Sequence, residues 1–567
     1  MTARLGNSHS RRTRLLRALL ALVAVAAAVV SLPATAAPVP EGYTYSHAWF
    51  TSVDGTQLHA GVFLPADRKA TERHPVLLVS TPYASPNGGA GSPGNLDGAP
   101  PVRFPELFEH SGWAKGRWAY VEVDVRGFGG SGGCFSYYLP DEAADVKVAV
   151  EWAAKAPWST GRIGMWGKSY DAAQQVLALA SKPRGLAASV IQAPGLSAYT
   201  ALWMNGVHYA GGRYATTGVY TVDDVGPAQN TATATSPQYA AATASGLTAN
   251  PTCRSDGLAR MNTERDRASS FWKGKEPYLK AAGSTVPVLW SHGFADANTK
   301  PQHLPIWTSL RGPKQAWFGQ YTHVRGQEAA VGREGFLDES VRFLDRHVRG
   351  TRTKTDAAVT VQEGNGEGRW RHEAAWPPAD ALRWSMPIRK GSYVDEPGNN
   401  ADGASAGQGH LTVSRPLPYD AHLAGEVAIA AKVSTVAPYA NVVAHLYDID
   451  ENGEATFVAR GAFASAKTGA QTVSYTLYPQ DWRFLAGHRI GIHLSGSDDE
   501  WFTPGVSHTS VTVGGGSVTL PLLRFARTRF VAGDISDGMN GTPWTVDEAR
   551  LEESTVVSPP PPRQRRR

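Results

Sequence analysis

The chain has 567 residues, 42% hydrophobic and 19% charged, which excludes an intrinsically disordered chain and provides for several buried cores. The formal charge of +5 resides at the ends. Five arginines lie in the first 36 residues and four from Ser554 on, with no acid in either stretch, so the body between carries −4. A nucleic-acid-binding body is disfavoured, because its basic charge would have to sit on the folded part.

In chain order, the N-terminus reads as an export signal. A basic region with Arg4, Arg11, Arg12, Arg14 and Arg17 precedes an apolar run over 18–32, then Pro33 and the small residues Ala34-Thr35-Ala36-Ala37. An A-x-A rule puts cleavage after Ala36, so residues 1–36 are assigned as signal peptide and the mature protein as secreted. The run is shorter than the roughly 20 residues that span a bilayer, so no stable anchor is expected after cleavage. Ser10-Arg11-Arg12-Thr13-Arg14-Leu15 follows the twin-arginine pattern, with Arg14 where an apolar residue is usual; Sec and twin-arginine export both stay open.

The segment 43–64 alternates around Asp54-Gly55, a hairpin signal. Strand-like apolar runs at 76–80, 118–125, 163–166 and 187–191 then alternate with helical patterns at 141–154 and 170–181. Such alternation predicts βαβ units and a mostly parallel sheet covered on both faces, within a catalytic domain over 38–355. The rhythm breaks over about 195–283, read as an inserted helical cap. It resumes with strands at 286–290 and 315–319 and a helix at 336–348 that ends at Gly350. Beyond about 356 the segments are β-rich with Gly, Asp and Pro turns, which predicts a C-terminal β-sandwich, a jelly roll over 356–550. The remainder, 551–567, with four prolines and four arginines, is expected to be a disordered tail. The two cysteines, Cys134 and Cys253, suffice for one disulfide in an exported protein; two separate thiols stay open.

One segment carries chemistry. Ile163-Gly164-Met165-Trp166-Gly167-Lys168-Ser169-Tyr170 lies between a predicted strand and a predicted helix, the context of a nucleophile elbow. Gly167 fits that turn; Asp171 stands where the second glycine of G-x-S-x-G belongs. An ordinary helix N-cap serine is the plain alternative. Chain order favours the elbow. Asp296 follows one predicted strand and His323 the next, giving the order nucleophile, acid, base of α/β-hydrolases. His292 and His303 compete with His323, but His292 precedes the acid. The three loops are expected on one rim of the sheet, where active sites of such sheets lie.

These residues resemble the CocE/NonD acyl hydrolases and the X-Pro dipeptidyl-peptidases. Three further blocks agree: Ser80-Thr81-Pro82-Tyr83, the turn Asp124-Val125-Arg126-Gly127-Phe128-Gly129-Gly130-Ser131-Gly132-Gly133, and the β-rich stretch from Tyr478 to Gly491. The resemblance implies an α/β-hydrolase core with an inserted helical cap and a C-terminal jelly roll. It implies Ser169 as nucleophile, Asp296 as acid and His323 as base, with the Tyr83 hydroxyl and the Tyr170 backbone N–H forming an oxyanion hole. Trp166, Asp171 and Phe294 are secondary candidates for substrate contact. Asp223, Asp224 or Asp171 are candidates to hold a substrate's α-ammonium. No cofactor is expected, and no metal: the calcium-loop-like Asp448-x-Asp450-x-Asn452-Gly453 lacks its closing Glu and reads as a hairpin turn. The Asp124/Arg126 turn is read as structural, the two charges pinning it.

The function expected is that of a secreted serine hydrolase. It would cleave acyl esters or X-Pro-type amides of small substrates through an acyl-serine intermediate. The alternative is an inactive protein that binds cell-surface glycan through its jelly roll. The sequence gives no oligomeric state.

Overall fold

The computed structural model describes residues 39–83, 102–210, 241, 253–354, 356–365, 367–400, 408–504, 507–539, 543–552 and 559–563. The expected signal peptide, most of cap segment 211–252 with Asp223 and Asp224, and residues 564–567 lie outside them.

The hairpin around Asp54-Gly55 forms as read, pairing β1 (Tyr43–Thr51) with β2 (Gln57–Pro65). It continues into β3 (His74–Thr81), β4 (Ala119–Asp124), β5 (Ser159–Lys168) and β6 (Leu186–Gln192). Residues of the inserted segment add a short hairpin, β7 (Trp203–Met204) and β8 (Val207–His208). The sheet resumes with β9 (Val288–Gly293), β10 (Lys314–Gly319), β11 (Val359–Gln362) and β12 (Trp370–Glu373). The order is β1-β2-β4-β3-β5-β6-β9-β10-β11-β12, and every pairing from β4 through β11 is parallel.

Both faces of the central strands are covered, which is why they read as continuous apolar runs. Alternate residues go to opposite faces. Val76, Leu78, Val121 and Val123 pack with α1 (Pro140–Lys155) and α2 (Tyr170–Ser181). Leu77, Val79 and Tyr120 pack on the other side with Trp113, Trp118 and the C-terminal half of a later helix, residues 343–344. Pro140 at the start of α1, with Asp141 and Glu142 in its first turn, suits the orphan N–H groups and positive dipole end there. Residues 170–180 of α2 are all buried, which places it between sheet, cap and α1. In the inserted segment α3 (Cys253–Thr263) is the longest described helix. Helix α4 (Phe336–Leu344) continues through a π turn to Gly350 at φ 75°, where a left-handed glycine ends it.

The C-terminal region forms two packed antiparallel sheets. One holds β13 (Ala381–Val394), β15 (Ala421–Gly425), β16 (Ala428–Thr435), β19 (Gly469–Thr476), β20 (Gln480–Phe484) and β22 (Ser510–Leu523); the other holds β14 (His410–Val413), β17 (Ala440–Ile449), β18 (Glu454–Ser465), β21 (Arg489–Ser495) and β23 (Trp544–Thr545). Leu423, Ile429 and Val513 from the first meet Val442, Leu446 and Ile492 from the second. The Asp450-to-Glu454 segment is the β17–β18 hairpin turn, with Asp450 Oδ1 accepting the Asn452 and Glu454 N–H groups.

The two domains are joined by buried charge. Asp481 of β20 accepts two hydrogen bonds from Arg371 of β12 (2.8 and 2.7 Å) and one from the Trp376 indole (2.9 Å), and lies 2.7 Å from His422 Nε2. Truncating one partner of so buried a set strands an uncompensated charge.

Two expectations need correction. Part of the tail is ordered: Glu548–Glu552 is helical, and Arg563 pairs with Phe525, its N–H donating to the Arg524 carbonyl (2.6 Å). Asp124 and Arg126 do not pair with each other. Asp124 takes the Gly130 N–H (2.7 Å) and His59 (2.8 Å), whereas Arg126 reaches Asp145 on α1 (2.5 Å). Among the described residues of the inserted segment, the short β7–β8 hairpin accompanies α3. Cys134 is disulfide-bonded; Cys253 opens α3, its side chain outside the described residues.

Candidate active site

β5 ends at Lys168 and α2 begins at Tyr170, so Ser169 alone turns the chain from strand to helix. Its backbone sits at φ 66°, ψ −120°, a conformation that costs a non-glycine residue about 1–3 kcal/mol. Its hydroxyl makes no capping bond to α2, which removes the plain N-cap reading. The turn closes because Gly167 lacks a side chain: a Cβ there would stand 2.5 Å from Asp171 Cβ and 2.7 Å from its carbonyl carbon. Gly167→Ala is therefore expected to destabilise the fold by about 1–3 kcal/mol, read as a lower urea midpoint.

Asp296 and His323 follow β9 and β10 on the same rim. Gly293 at the end of β9 lets these loops touch, since a Cβ there would overlap the Tyr321 carbonyl oxygen at 1.8 Å. His323 Nδ1 lies 2.8 Å from Asp296 Oδ2. The same carboxylate accepts the N–H groups of Asn298 (2.8 Å) and Thr299 (3.0 Å) and the Thr299 hydroxyl (2.8 Å). His292 Nε2 stands 3.3 Å from Oδ2. Asp296 is wholly buried, while the His323 side chain keeps 16% of its surface exposed, so the ring reaches solvent and the carboxylate does not.

Burial alone would raise the Asp296 pKa, but His323 and His292 outweigh it and hold the carboxyl well below the usual carboxylate range. Burial pushes the His323 imidazole below its usual value, against the opposing pull of Asp296. Lys168, beside the elbow, is lowered to about 8, chiefly by burial. The Ser169 amide donates to the Gln192 carbonyl (2.9 Å), and Gln192 Oε1 accepts the Gly326 N–H (2.8 Å), tying the elbow to the histidine's loop. Ser169 Oγ and His323 are not hydrogen-bonded here; in free enzymes that contact is commonly long and tightens with substrate.

The β-sandwich grips the same loops. Gln480 Oε1 accepts from Gln320 Nε2 (2.7 Å), and Asp537 accepts from the Thr322 N–H (3.2 Å) and hydroxyl (2.9 Å). Between the domains opens a cavity of about 610 Å³, with Phe294, Ala297 and Thr322 on one wall and Arg460, Trp482 and Glu500 on the other. Asp296 and His323 adjoin this cavity through Ala295, Ala297 and Thr322; neither they nor Ser169 are on its lining.

Tyr83 is buried just past β3, its N–H on Thr81 Oγ1 (3.1 Å) and the Arg103 guanidinium over its ring (4.5 Å). The Tyr170 phenol is committed to Glu142 (2.9 and 2.7 Å), so only its backbone serves the turn. Phe294 does face the cavity. Two candidates for substrate contact fail. Trp166 is fully buried on the far face of the sheet, packed edge-on against Phe104. Asp171 has no exposed surface and is paired with Arg103 (2.9 Å). Gln192, Thr299, Arg103 and Asp537 escaped the sequence reading, because each acts through a partner that only the fold brings near.

Fold and chemistry define a class: a serine hydrolase of the α/β-hydrolase type with a C-terminal β-sandwich. Residues 54–325 match the model of the X-Pro dipeptidyl-peptidase (S15) family, and residues 351–531 match the X-Pro dipeptidyl-peptidase C-terminal non-catalytic domain. Both matches are to the X-Pro dipeptidyl-peptidase type, and together they span most of the chain. It is 23% identical over 594 residues to a Streptomyces avermitilis protein assigned as an Xaa-Pro dipeptidyl-peptidase, covering 89% of this chain and 82% of the relative. It is 22% identical over 599 residues to a Mycobacterium bovis protein assigned as a serine esterase, covering 84% and 94%. A CocE/NonD family hydrolase from Staphylococcus aureus shares the fold (TM-score 0.66, 16% identity, 87% of this chain and 99% of that one).

Proposed function

We propose that this chain hydrolyses small acyl esters or X-Pro-type amides, with Ser169 as nucleophile, His323 as general base and Asp296 as its orienting carboxylate. Ser169 Oγ attacks the carbonyl carbon while His323 Nε2 takes its proton. The tetrahedral oxyanion is held by the Tyr83 hydroxyl and the Tyr170 N–H at the start of α2. Collapse expels the alcohol or amine, protonated by His323, and leaves an acyl-serine that water hydrolyses by the same steps. The observation that carries this reading is the 2.8 Å Asp296–His323 contact beside a strained serine turn. The inter-domain cavity suits a small substrate, and the basic and apolar residues at 1–36 support an exported, extracellular enzyme, by Sec or twin-arginine export.

The experiment compares an X-Pro 4-nitroanilide with a 4-nitrophenyl acyl ester on the mature protein and on Ser169→Ala. The wild type is expected to cleave at least one and the variant neither. A wild type that leaves both intact overturns the reading and returns the glycan-binding alternative.

The base must be neutral to accept a proton, and burial disfavours its cation. The acid limb of the kcat/KM profile is therefore expected below the ordinary imidazole value of about 6.5. A half-maximum at or above neutral pH contradicts this environment for His323.

A further inference from the structure

We infer that Arg103, fixed by Asp171, is a positioning residue that sets the Tyr83 phenol for its role at the oxyanion; this rests on the proposed function. Asp171 stands two residues after Ser169, in the first turn of α2, at a place where an elbow normally takes a small residue. It is fully buried, and a buried carboxylate is tolerated only with a compensating partner. That partner is Arg103, whose Nε lies 2.9 Å from Oδ2, while Oδ1 has no hydrogen-bond partner among the described residues. Among the described residues, Asp171 is thus held by this one contact rather than by a saturated network.

The guanidinium so fixed lies 4.5 Å from the Tyr83 ring centroid and 5.3 Å from that of Phe104. A cation on a phenol face fixes the ring plane and draws electron density from the ring, which makes the O–H a better donor. The backbone of Arg103 is itself anchored. Its N–H donates to Glu122 (2.6 Å), and its carbonyl accepts from Arg325 Nη2 (3.3 Å), two residues past His323. Arg103 therefore touches the Tyr83 loop, the elbow helix and the histidine loop together.

A double-mutant cycle tests this on the mature full chain, with whichever substrate the wild type cleaves. Tyr83→Phe is expected to lower kcat by about 10²- to 10³-fold with little change in KM. Arg103→Met is expected to lower kcat about tenfold, again with KM nearly constant, and Arg103→Lys, which keeps the cation, to recover part of it. In the Tyr83→Phe background, Arg103→Met is expected to add almost nothing, because its effect passes through the phenol. Effects that multiply in the double variant, or an Arg103→Met change confined to KM or to the melting temperature, overturn the inference. Should Arg103→Met fail to fold, Asp171→Asn replaces it in the cycle, keeping the side-chain volume while loosening the arginine. A wild type inactive on both substrates sinks the functional reading itself, an outcome distinct from an active wild type with an additive cycle.

Discussion

Ser169→Gly is expected to abolish hydrolysis and, in the same protein, to stabilise the fold. The residue sits at φ 66°, ψ −120°, where a Cβ clashes with its own backbone and glycine does not. Relief of about 1–3 kcal/mol of strain outweighs the roughly 0.5–1 kcal/mol that glycine costs in unfolded-state entropy. Loss of the nucleophile lowers kcat by at least about 10⁴-fold. Ser169→Ala separates the two effects: it loses the same activity but keeps the Cβ and so gains no stability. Urea unfolding of the three proteins, paired with steady-state rates, reads both. A glycine variant less stable than wild type contradicts a strained elbow.

Asp296→Asn is expected to lower kcat by about 10⁴-fold. The carboxylate fixes the His323 tautomer through a 2.8 Å contact at Nδ1, which leaves Nε2 as the bare nitrogen that the proposed mechanism uses as base. An amide accepts through one oxygen only. At Asp296 the hydroxyl of Thr299, His323 and His292 converge on Oδ2 while two backbone N–H groups occupy Oδ1. Either amide orientation therefore sets an NH₂ against donors. Stability falls too, and its pH dependence changes sign-consistently. Asp296 is held below its unfolded value, so its contribution is present above the unfolded carboxyl pKa of about 3.9 and lost as pH falls through the lower folded value. The variant lacks that loss. Unfolding midpoints from pH 3 to 7 check this, and an unchanged acid-side slope contradicts it.

Much of the architecture was legible because local pattern and global burial agree. Strands 76–80 and 187–191 read as apolar runs because helices cover both faces of the sheet, and they occur as His74–Thr81 and Leu186–Gln192. The start of β5 was missed: Ser159–Arg162 is polar and partly exposed, so no apolar run marks it before Ile163. Ser169, Asp296 and His323 are singled out by their order after parallel strands, and the parallel sheet brings Asp296 and His323 to 2.8 Å of each other.

The environment of those residues was not legible, and the cause is the same each time. Asp171 looked like an odd residue at the elbow, yet its partner Arg103 lies 68 positions away. Arg126 is bound by Asp145 on α1, not by the neighbouring Asp124. Trp166 adjoins the elbow in sequence, but strand alternation turns it to the opposite face. Asp537 belongs to the C-terminal region and still holds the backbone beside His323. Sequence distance carries no information about such pairs.

The central claim is that Ser169 is a nucleophile activated by the Asp296–His323 pair. Its most direct test is covalent labelling of the mature protein with a fluorophosphonate, followed by peptide mass spectrometry. The account predicts one adduct, on Ser169, that Ser169→Ala removes and Asp296→Asn slows strongly. A label on another residue, or an active wild type that takes no label, would contradict it.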